Sequence, residues 1–470
     1  MIVMAIKKLP FLLLVLCLSI NGFAQNKPNV IFILADDLGY GDIGCYGQKL
    51  IETPHIDNLA ANGMKFTNFY AGTSVCAPSR SALMTGQHTG HTPIRGNHEI
   101  QPEGQMPLPD SAYTLAELFK KAGYATGDFG KWGLGFVGTS GDPNKQGFDQ
   151  FFGYNCQRQS HNFFPDHLWE NSQRVELNNT AAIQTQYAPE LIQQKALAFM
   201  DAHKAEPFFM YLSYTLPHAA LQIPKDDAAF ETYKKKFKEQ PKPVEDSWDG
   251  KGYQPQAYPR AAFAAMVTKL DAYVGQVTER LKALGIEKNT LVIFTSDNGP
   301  HTEGGHEPGF FNSSGGFRGT KRALYEGGIR VPMIACWPAV IKKATSDLTA
   351  AAWDFFPTFA EILKQPVPAA LDGISILPTL ESKGQQKQHS FLYWEFHEEG
   401  GRQAVRLDSW KAVRQDVKKD KNGPVELYNL SADPKETKNI ASDYPAIVKR
   451  ITEIMKREHT ASEKFPLLKK

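Results

Sequence analysis

The sequence Asn29-Val-Ile-Phe-Ile-Leu-Ala-Asp-Asp37 decides the fold class of this chain of 470 residues. Residues 30–34 form a continuous apolar run with no polar alternation, which is typical of a strand buried on both faces of a parallel sheet. The run ends at two adjacent carboxylates, Asp36 and Asp37. We therefore expect a buried strand with acidic groups at its carboxyl end.

The same arrangement recurs at two later places in the chain. The apolar run 207–214 leads into His218, and the run 291–295 leads into Ser296-Asp297-Asn298-Gly299. Between these runs, apolar residues recur at three- and four-residue spacing, which predicts helices over 115–122 and 260–284. Strands alternating with helices predict an α/β fold with a large, mostly parallel sheet sandwiched by helices. Ligands of such sheets bind beyond the carboxyl ends of the strands, where these polar residues fall.

A change of pattern near residue 375 indicates the domain organisation. At about 150 residues a domain, the length allows two or three domains, or one large α/β domain with an appendage. Short runs that resemble antiparallel strands, and then a predicted helix, follow at 390–396, 410–414, 425–429 and 444–458. We expect a main domain over 25–374 and a small α+β C-terminal subdomain over 375–470. The charged, Pro- and Gly-containing segment 234–259 is predicted to be a surface excursion without chemistry.

The composition excludes several classes of protein. Hydrophobic residues make up 42% of the chain and charged residues 22%, which is ordinary for a globular protein with a sizeable core. Lys plus Arg number 52 against 50 Asp plus Glu, for a formal charge of +2. A nucleic-acid partner is not expected, since the basic excess that binds phosphate backbones is missing. Any anion binding must be local.

The first residues have the order of a secretory signal peptide. Lys7 and Lys8 precede an apolar run over 9–20, and the small residues Gly22 and Ala24 follow it. That run is too short to span a bilayer comfortably. We therefore predict a signal peptide over 1–24, cleaved after Ala24.

A lipoprotein anchor at Cys17 is the alternative interpretation of the same segment. Val15 and Leu16 are bulky where the recognition sequence of such an anchor needs small residues, so we favour cleavage. No other stretch approaches transmembrane length. We expect a periplasmic or secreted protein with no membrane contact after cleavage.

Cys76 lies in the most informative segment, Ser74-Val-Cys-Ala-Pro-Ser-Arg-Ser-Ala-Leu-Met-Thr-Gly86. Pro78 suits the first turn of a helix, which places Cys76 at the positive helix terminus and Arg80 about one turn inside. Such a terminus is suited to an anion. The alternative is a buried structural cysteine, and the five cysteines contain no CxxC pair of the zinc type.

Four oxygen-bearing side chains at strand ends suit a hard cation. Asp36 and Asp37 follow the first strand, and Asp297 and Asn298 follow a later one. Carboxylate and amide oxygens favour Ca²⁺ or Mg²⁺ over soft metals. The alternative is that both pairs only form tight turns.

Two lysines and one histidine complete the candidate site. Lys131 and Lys321, with Arg80, could neutralise an anionic group. His218 follows a strand and is the best candidate general acid, because imidazole titrates near neutral pH. The alternatives are solvated surface lysines and a structural histidine.

Taken together, these segments resemble the type I sulfatase family over most of the mature chain. The Cys-x-Pro-Ser-Arg sequence at Cys76 is its signature. The other matching segments occur in the family's order at Asp36-Asp37, Gly130-Lys131-Trp132, Pro217-His218, Ser296–Gly299, Gly319-Thr320-Lys321, Tyr325–Arg330 and Glu426–Pro434.

The resemblance implies an alkaline-phosphatase-like fold and the hydrolysis of sulfate esters, R–O–SO₃⁻, of sulfated polysaccharides or glycosaminoglycans. It implies that a maturation enzyme oxidises Cys76 to Cα-formylglycine, whose hydrate attacks sulfur. It favours Ca²⁺ over Mg²⁺. The implied metal ligands are Asp36, Asp37, Cys76, Asp297 and Asn298, and the implied catalytic residues are Cys76, Arg80, Lys131, His218 and Lys321.

One departure from the family pattern lies at Gly133. Sulfatases commonly have Lys-Trp-His-Leu-Gly where this chain has Lys131-Trp-Gly-Leu-Gly135, so the histidine that assists the formylglycine hydroxyl is missing. Lys131 or another histidine could take over its work. His161 is the first candidate. His301 and His306 are others, and we predict substrate contacts for His161 and His301.

Two other functions remain open at this stage. A phosphomonoesterase or phosphodiesterase of the same superfamily would have Ser or Thr as nucleophile and would need further Asp and His ligands for a second metal. An exported glycan-binding protein would have kept the fold and lost the chemistry, which the full set of polar residues argues against.

Overall fold

The structure is a computed structural model that describes residues 27–244 and 252–468. The predicted signal peptide, with Cys17 and the cleavage site, lies outside the described residues. The strands are β1 Asn29–Ala35, β2 Met64–Phe66, β3 Phe69–Tyr70, β4 Glu99–Ile100, β5 Gly104–Gln105, β6 Ala125–Lys131, β7 Gln150–Tyr154, β8 His167–Glu170, β9 Gln173–Glu176, β10 Phe208–Ser213, β11 Thr290–Ser296, β12 Met333–Cys336, β13 Ala344–Ser346, β14 Ala350–Ala351, β15 Leu392–Phe396, β16 Arg402–Leu407, β17 Trp410–Arg414 and β18 Val425–Asn429.

The helices of the described residues lie between these strands and at the end of the chain. They are α1 Pro54–Asn62, α2 Cys76–Thr85, α3 Leu115–Lys121, α4 Ala188–His203, α5 Ala228–Phe237, α6 Pro259–Ala283, α7 Pro308–Phe311, α8 Glu326–Ile329, α9 Phe355–Ile362, α10 Leu377–Leu380 and α11 Pro445–Glu458. Among the described residues, no helix is both long enough and apolar enough to cross a membrane.

A ten-stranded sheet forms the centre of the molecule, in the order β13-β2-β12-β11-β1-β10-β6-β7-β8-β9. Its middle strands β11, β1, β10, β6 and β7 are parallel to one another. The pairs β11–β12, β12–β2, β7–β8 and β8–β9 are antiparallel. The predicted large, mostly parallel sheet is therefore confirmed.

Strand β1 is buried on both faces, as its unbroken apolar run predicts. Ile31 and Ile33 belong to a core with α1, α4 and α6, whereas Phe32 and Leu34 belong to a second core with α2, α3 and α9. Successive side chains of a strand point to opposite faces. An apolar residue at every position is thus what a sheet covered by helices on both sides requires.

The C-terminal region forms a separate antiparallel sheet in the order β15-β16-β17-β18. Helix α11 packs on it through Ile451, Ile454 and Met455. The strands β15, β17 and β18 and the final helix lie where the sequence predicts them. Strand β16 was not predicted.

Candidate active site

The carboxyl ends of four neighbouring parallel strands bring the candidate residues together. Asp36 and Asp37 follow β1, and Asp297 and Asn298 follow β11. Lys131 ends β6, and His218 lies in the loop after β10. Because these strands are adjacent in the order β11-β1-β10-β6, residues far apart in sequence meet at one edge of the sheet.

Helix α2 delivers Cys76 to the same edge. Cys76 is the first residue of the helix, after Val75 in an extended conformation, and Asn97 Oδ1 accepts a hydrogen bond from the Ala77 backbone N–H of the first turn at 3.2 Å. The Cys76 Sγ lies 3.2 Å from Asp36 Oδ1 and 3.9 Å from Asp37 Oδ1. The helix ends at Thr85, and the next residue, Gly86, has a φ of 67°, a left-handed conformation that glycine adopts without strain. The positive end of the helix dipole therefore faces two carboxylates.

Arg80 lies one turn further along α2 and is fully buried. Its Nε and Nη2 donate to Asp297 Oδ2 at 3.2 and 2.9 Å, and its Nη1 donates to the Lys131 carbonyl at 2.6 Å. Its Nη2 is also 3.6 Å from Asp36 Oδ2. Arg80 thus connects helix α2 to the ends of three strands.

Each lysine pairs with one of the adjacent aspartates. Lys131 Nζ lies 2.6 Å from Asp36 Oδ2, and Lys321 Nζ lies 2.7 Å from Asp37 Oδ2. With Arg80 beside Asp297, the cationic and carboxylate groups of the cluster are equal in number. Both lysines and their partners have buried side chains, where ionic groups need such compensation.

The lysines change the pKa values of this cluster. Burial acts to raise the pKa of Asp36, but the charges of Lys131 and Arg80 and the His218 ring outweigh it, so that its pKa lies well below the usual value. Burial acts to lower the pKa of Lys321, but Asp37 raises it well above the usual value. Both groups are therefore charged at neutral pH.

The pKa of the Cys76 thiol is raised, in contrast to that of the neighbouring Asp36. Burial, and then the negative charge of Asp36, raise its pKa well above the usual value. The thiolate is the nucleophilic form of cysteine. An unmodified Cys76 is consequently a protonated, weakly nucleophilic thiol at neutral pH.

The aspartates, Cys76 and His218 form a group that could hold a metal ion. One ligand atom from each of Asp36, Asp37, Cys76 and His218 lies within 4.8 Å of the others. The Asn298 Nδ2 donates to Asp37 Oδ1 at 2.7 Å, while its Oδ1 is buried without a hydrogen-bond partner. Buried orphan oxygens of this kind are rare. The oxygen-rich donor set therefore fits a hard divalent cation.

Asp297 lies beside this group and is hydrogen-bonded to Asp37 and Arg80. Its Oδ1 accepts a hydrogen bond from the Asp37 backbone N–H at 3.1 Å, and its Oδ2 faces Arg80. The structure thus brings Asp36, Asp37, Cys76 and Asn298 to one point and places Asp297 beside them.

His218 is positioned as a neutral hydrogen-bond acceptor. Its Nε2 lies 3.0 Å from Lys321 Nζ and its Nδ1 lies against the Ala219 carbonyl, which places the ring proton on Nδ1. Burial and then the Lys321 charge hold its pKa well below the usual value. The ammonium of Lys321 therefore donates to His218, and the pair shares one transferable proton.

Two further aromatic rings lie against His218. The His161 ring stacks on it with centroids 4.6 Å apart, and the Tyr253 ring lies 5.1 Å from His161 and 6.1 Å from His218. Tyr253 belongs to the segment 234–259, for which we predicted no chemistry. The Tyr253 ring nevertheless lies beside His161 and His218, a position that the charged composition of the segment did not indicate.

His301 and His306 are both buried side chains. The His301 ring is 5.8 Å from His218, but its Nε2 contacts the Pro217 carbonyl and its Nδ1 accepts from the Glu303 backbone N–H. With both nitrogens engaged by the backbone, this geometry does not support the predicted substrate contact of His301. His306 stacks on Phe263 at 3.7 Å in the core.

A glutamine occupies the space above Gly133. A Cβ atom on Gly133 would lie 2.1 Å from Gln157 Nε2, and the φ of Gly133 is 72°. Gln157 Nε2 is buried and has no hydrogen-bond partner. Sequence reasoning proposed only Lys131 or a histidine for this place. The missing signal is spatial, because Gln157 lies just after β7, the strand that neighbours β6.

Comparisons with known proteins agree with this site. A family model described as Sulfatase matches residues 28–365, and one described as N-sulphoglucosamine sulphohydrolase, C-terminal, matches residues 316–463. The chain therefore belongs to the sulfatase family, and its reaction is the hydrolysis of sulfuric esters. The resemblance inferred from the sequence segments is confirmed.

Individual relatives are similar over almost their whole length. The chain is 31% identical to an N-acetylgalactosamine-6-O-sulfatase of Bacteroides thetaiotaomicron, over 94% of each chain. It is 31% identical to human arylsulfatase A, over 94% of this chain and 89% of that one. A crystal structure of Ps i-CgsB in complex with k-i-k-neocarrahexaose has 28% identity and a TM-score of 0.75, covering 93% of this chain and 94% of that chain. The alkaline-phosphatase-like fold class is likewise confirmed.

Proposed function

We propose that this sulfatase acts on a sulfated sugar after export, with Cys76 converted to Cα-formylglycine by a maturation enzyme and with Ca²⁺ at the carboxylate cluster. The observation that carries the proposal is the placement of Cys76. Its side chain lies at the amino end of α2, 3.2 Å from Asp36, yet its thiol pKa is raised. A residue at the centre of the site that is inert as a thiol fits one that acts only after modification.

The residues of the chain divide the work of the reaction between them. Asp36, Asp37 and Asn298, with Asp297 beside them, would hold the cation, and when bound it would supply Lewis-acid stabilisation of developing negative charge. Lys131 and Lys321, which lie beside Asp36 and Asp37, would donate to the sulfate group. Arg80 fixes the strand ends that carry these groups.

The leaving oxygen needs a proton, and the Lys321–His218 pair can supply it. Lys321 Nζ is hydrogen-bonded to His218 Nε2 at 3.0 Å, so Lys321 can pass its proton to Nε2, which gives it to the sugar oxygen, and the pair regains one proton from water. A sugar alkoxide is a poor leaving group. General acid catalysis is therefore expected to accelerate the reaction by about 10²–10⁴-fold.

The substrate class rests on the relatives and on the site together. One relative is named N-acetylgalactosamine-6-O-sulfatase, and Ps i-CgsB was crystallised with k-i-k-neocarrahexaose. The aromatic rings of His161 and Tyr253 beside His218 suit a pyranose ring. We infer a carbohydrate sulfate, from a polysaccharide or glycosaminoglycan.

Mass spectrometry of the Cys76 peptide, together with sulfate release from a panel of monosulfated sugars, tests the proposal. Protein from the native host should contain an aldehyde at residue 76 and release sulfate but no phosphate from matched phosphate esters. Cys76→Ala should abolish release, whereas Cys45→Ala, which changes a cysteine outside the site, should not. An unmodified thiol in active protein would overturn the formylglycine proposal.

The metal and the location have separate tests. Removal of divalent ions with a chelator should abolish activity, and Ca²⁺ should restore it better than Mg²⁺; the reverse order would contradict calcium. We also propose a periplasmic or secreted location. Amino-terminal sequencing of the exported protein should begin at Gln25, and a lipid-modified Cys17 would contradict cleavage after Ala24.

A further inference from the structure

A second group of metal-ligating side chains lies outside the active site, beyond the end of α2 that is opposite to Cys76. Its members are His88, His91, Asp372 and Glu458, and one ligand atom from each lies within 4.8 Å of the others. The two histidines follow α2, Asp372 lies between α9 and α10, and Glu458 is the last residue of α11. The group therefore connects three segments that are far apart in the sequence, one of them from the C-terminal subdomain.

The ligand types and their spacing suit Zn²⁺. Zinc takes imidazole nitrogens and carboxylate oxygens at about 2.0–2.2 Å in a tetrahedral arrangement, in which neighbouring ligand atoms are about 3.4 Å apart. His88 Nε2 lies 3.4 Å from Glu458 Oε2 and 3.6 Å from Asp372 Oδ1. His91 Nδ1 lies 2.9 Å from the same Asp372 oxygen, a distance that has to widen by about 0.5 Å to admit the ion. Two nitrogen ligands favour a transition-metal ion over Ca²⁺, which takes oxygen ligands.

Both carboxylates are oriented by N–H groups that are not themselves metal ligands. The His88 backbone N–H donates to Asp372 Oδ2 at 2.9 Å, and Arg457 Nε donates to Glu458 Oε1 at 2.6 Å. These bonds leave Asp372 Oδ1 and Glu458 Oε2 facing His88 Nε2. Outer hydrogen bonds of this kind fix the ligands of metal sites before the ion binds.

The group is shielded from bulk water but accessible to an ion. The side chains of His88, Glu458, Asp372 and His91 are 4%, 12%, 16% and 26% exposed. The His88 ring lies edge-on to the ring of Trp353, with centroids 6.0 Å apart. The partly exposed His91 side provides the entry path that a shielded metal site needs.

Without a metal, ring protons connect the histidines to the carboxylates. The Gly90 backbone N–H donates to His88 Nδ1 at 3.1 Å, which places the His88 ring proton on Nε2. His91 Nδ1 donates to Asp372 at 2.9 Å. Metal binding moves each proton to the other ring nitrogen, and His88 gives up its bond from Gly90. The loss of one neutral hydrogen bond is small beside four metal–ligand bonds.

We propose that His88, His91, Asp372 and Glu458 form a structural zinc site that is separate from the active site. Protein groups fill all four ligand positions, so the ion has no open position for water or substrate, and its role is structural. It fastens the end of α11 to the segment that follows α2, the helix that begins at Cys76. An ion that binds only the folded chain stabilises it by mass action.

Titration calorimetry with Zn²⁺, in the presence of excess Ca²⁺, tests this site. The excess Ca²⁺ competes for the oxygen-rich cluster of the active site and leaves the nitrogen-containing group to Zn²⁺. We expect one zinc ion per chain and a rise of at least about 2 °C in melting temperature when zinc exceeds its Kd about 100-fold. His91→Ala and Glu458→Gln should each weaken zinc binding at least about 100-fold. Sulfate release without zinc should be unchanged in both variants, which shows that they are folded.

His203→Ala serves as the matched control. His203 is also hydrogen-bonded to a carboxylate, that of Glu206, but among the described residues it belongs to no group of three or more metal ligands. This variant should bind zinc as the wild type does. Co²⁺ in place of Zn²⁺ should give the intense visible absorption of tetrahedral cobalt in the wild type and in His203→Ala, and not in His91→Ala. Absence of zinc binding by the wild type, equal affinity in the wild type and both ligand variants, or a weak octahedral cobalt spectrum would overturn the inference.

Discussion

The guanidinium of Arg80 contacts protein groups at each of its nitrogens. It is held by Asp297 and by the Lys131 carbonyl, with Asp36 nearby. The sequence resemblance suggested that this arginine neutralises the sulfate directly. In the structure its nitrogens face protein groups, and we propose that Arg80 fixes the positions of Lys131 and of the acidic residues and acts on the sulfate through them.

Replacing Arg80 by Lys should therefore damage both stability and activity. A lysine keeps the charge but cannot reach Asp297 and the Lys131 carbonyl at the same time. We expect about 3 kcal/mol loss of unfolding free energy, from buried partners left unpaired, and at least a 100-fold fall in kcat/KM. Thermal unfolding and sulfate release measure the two effects. Arg450→Lys, on the exposed face of α11, should change neither, and a fully stable but inactive R80K would favour direct sulfate contact.

The Lys321–His218 pair makes a prediction that depends on the leaving group. His218→Ala should lower kcat for a sugar sulfate by about 10²–10⁴, because the departing alkoxide loses its proton donor. The same change should cost less than about tenfold with 4-nitrophenyl sulfate, since nitrophenolate leaves without protonation. Steady-state kinetics on both substrates are the measurement, with His203→Ala, which alters a surface histidine bonded to Glu206, as control. Equal losses on the two substrates would show that His218 positions groups and transfers no proton.

Residues at strand ends could be predicted from the sequence, whereas residues that reach the site from loops could not. Asp36, Asp37 and Asp297 follow apolar runs directly, and parallel strands oblige such residues to meet. Tyr253 arrives from a charged loop, and Gln157 reaches the site only because Gly133 has no side chain. Their positions depend on packing between segments that no local pattern reveals.

Three strands that the sequence predicts are buried at every position. The runs at β1, β10 and β11 are buried at every position, and each was predicted close to its observed bounds. Strand β16, with the sequence Arg402-Gln-Ala-Val-Arg-Leu407, has partly exposed arginines at two positions. Its side chains give only a weak apolar pattern, although its backbone pairs fully with β15 and β17.

The close approach of β6 and β10 makes Gly130 sensitive to substitution. A Cβ on Gly130 would lie 2.0 Å from the Ser213 carbonyl oxygen, and its φ is 136°. Gly130→Ala should thus push apart the strand that carries Lys131, with a loss of about 3 kcal/mol in unfolding free energy and reduced activity. Chemical denaturation of the purified variant measures this. Gly309→Ala, where nothing lies within 4 Å, should behave as wild type, and an equally stable G130A would contradict the tight strand pairing.

The C-terminal sheet packs against the helix that carries Cys76 and the residue before it. Trp394 and Leu392 of β15 share a hydrophobic core with Val75 and Ala82, which flank Cys76 on either side in sequence. The Trp394 Nε1 donates to the Ala71 carbonyl at 3.1 Å. We propose that the boundary between the main domain and the C-terminal subdomain lies at residue 375. Residues from both sides of this boundary nevertheless pack in one hydrophobic core.

A buried ion pair across this boundary gives a prediction about acid stability. Lys411 Nζ of β17 lies 3.0 Å from Glu326 Oε1 of α8, and both side chains are fully buried. Burial acts to raise the pKa of Glu326, but Lys411, Arg330 and Arg406 lower it from 4.5 to about 2. Since the folded state holds this proton less tightly than the unfolded state, the contribution of Glu326 to stability is present above about pH 4.5 and is lost as the pH falls toward 2.

Lys411→Met should remove most of this contribution and leave a buried carboxylate without its main partner. We expect the unfolding free energy at pH 7 to fall by about 3–5 kcal/mol. The loss should shrink as the pH falls below about 5, because Glu326 then takes up a proton more readily in the variant. Thermal unfolding between pH 3 and 7 is the measurement.

Lys411→Met combined with Glu326→Gln should recover part of the stability at pH 7, and Lys419→Met, at an exposed position, should follow the wild-type profile. A loss for Lys411→Met that is independent of pH would mean that the lysine stem, and not its charge, holds the subdomain against the catalytic sheet.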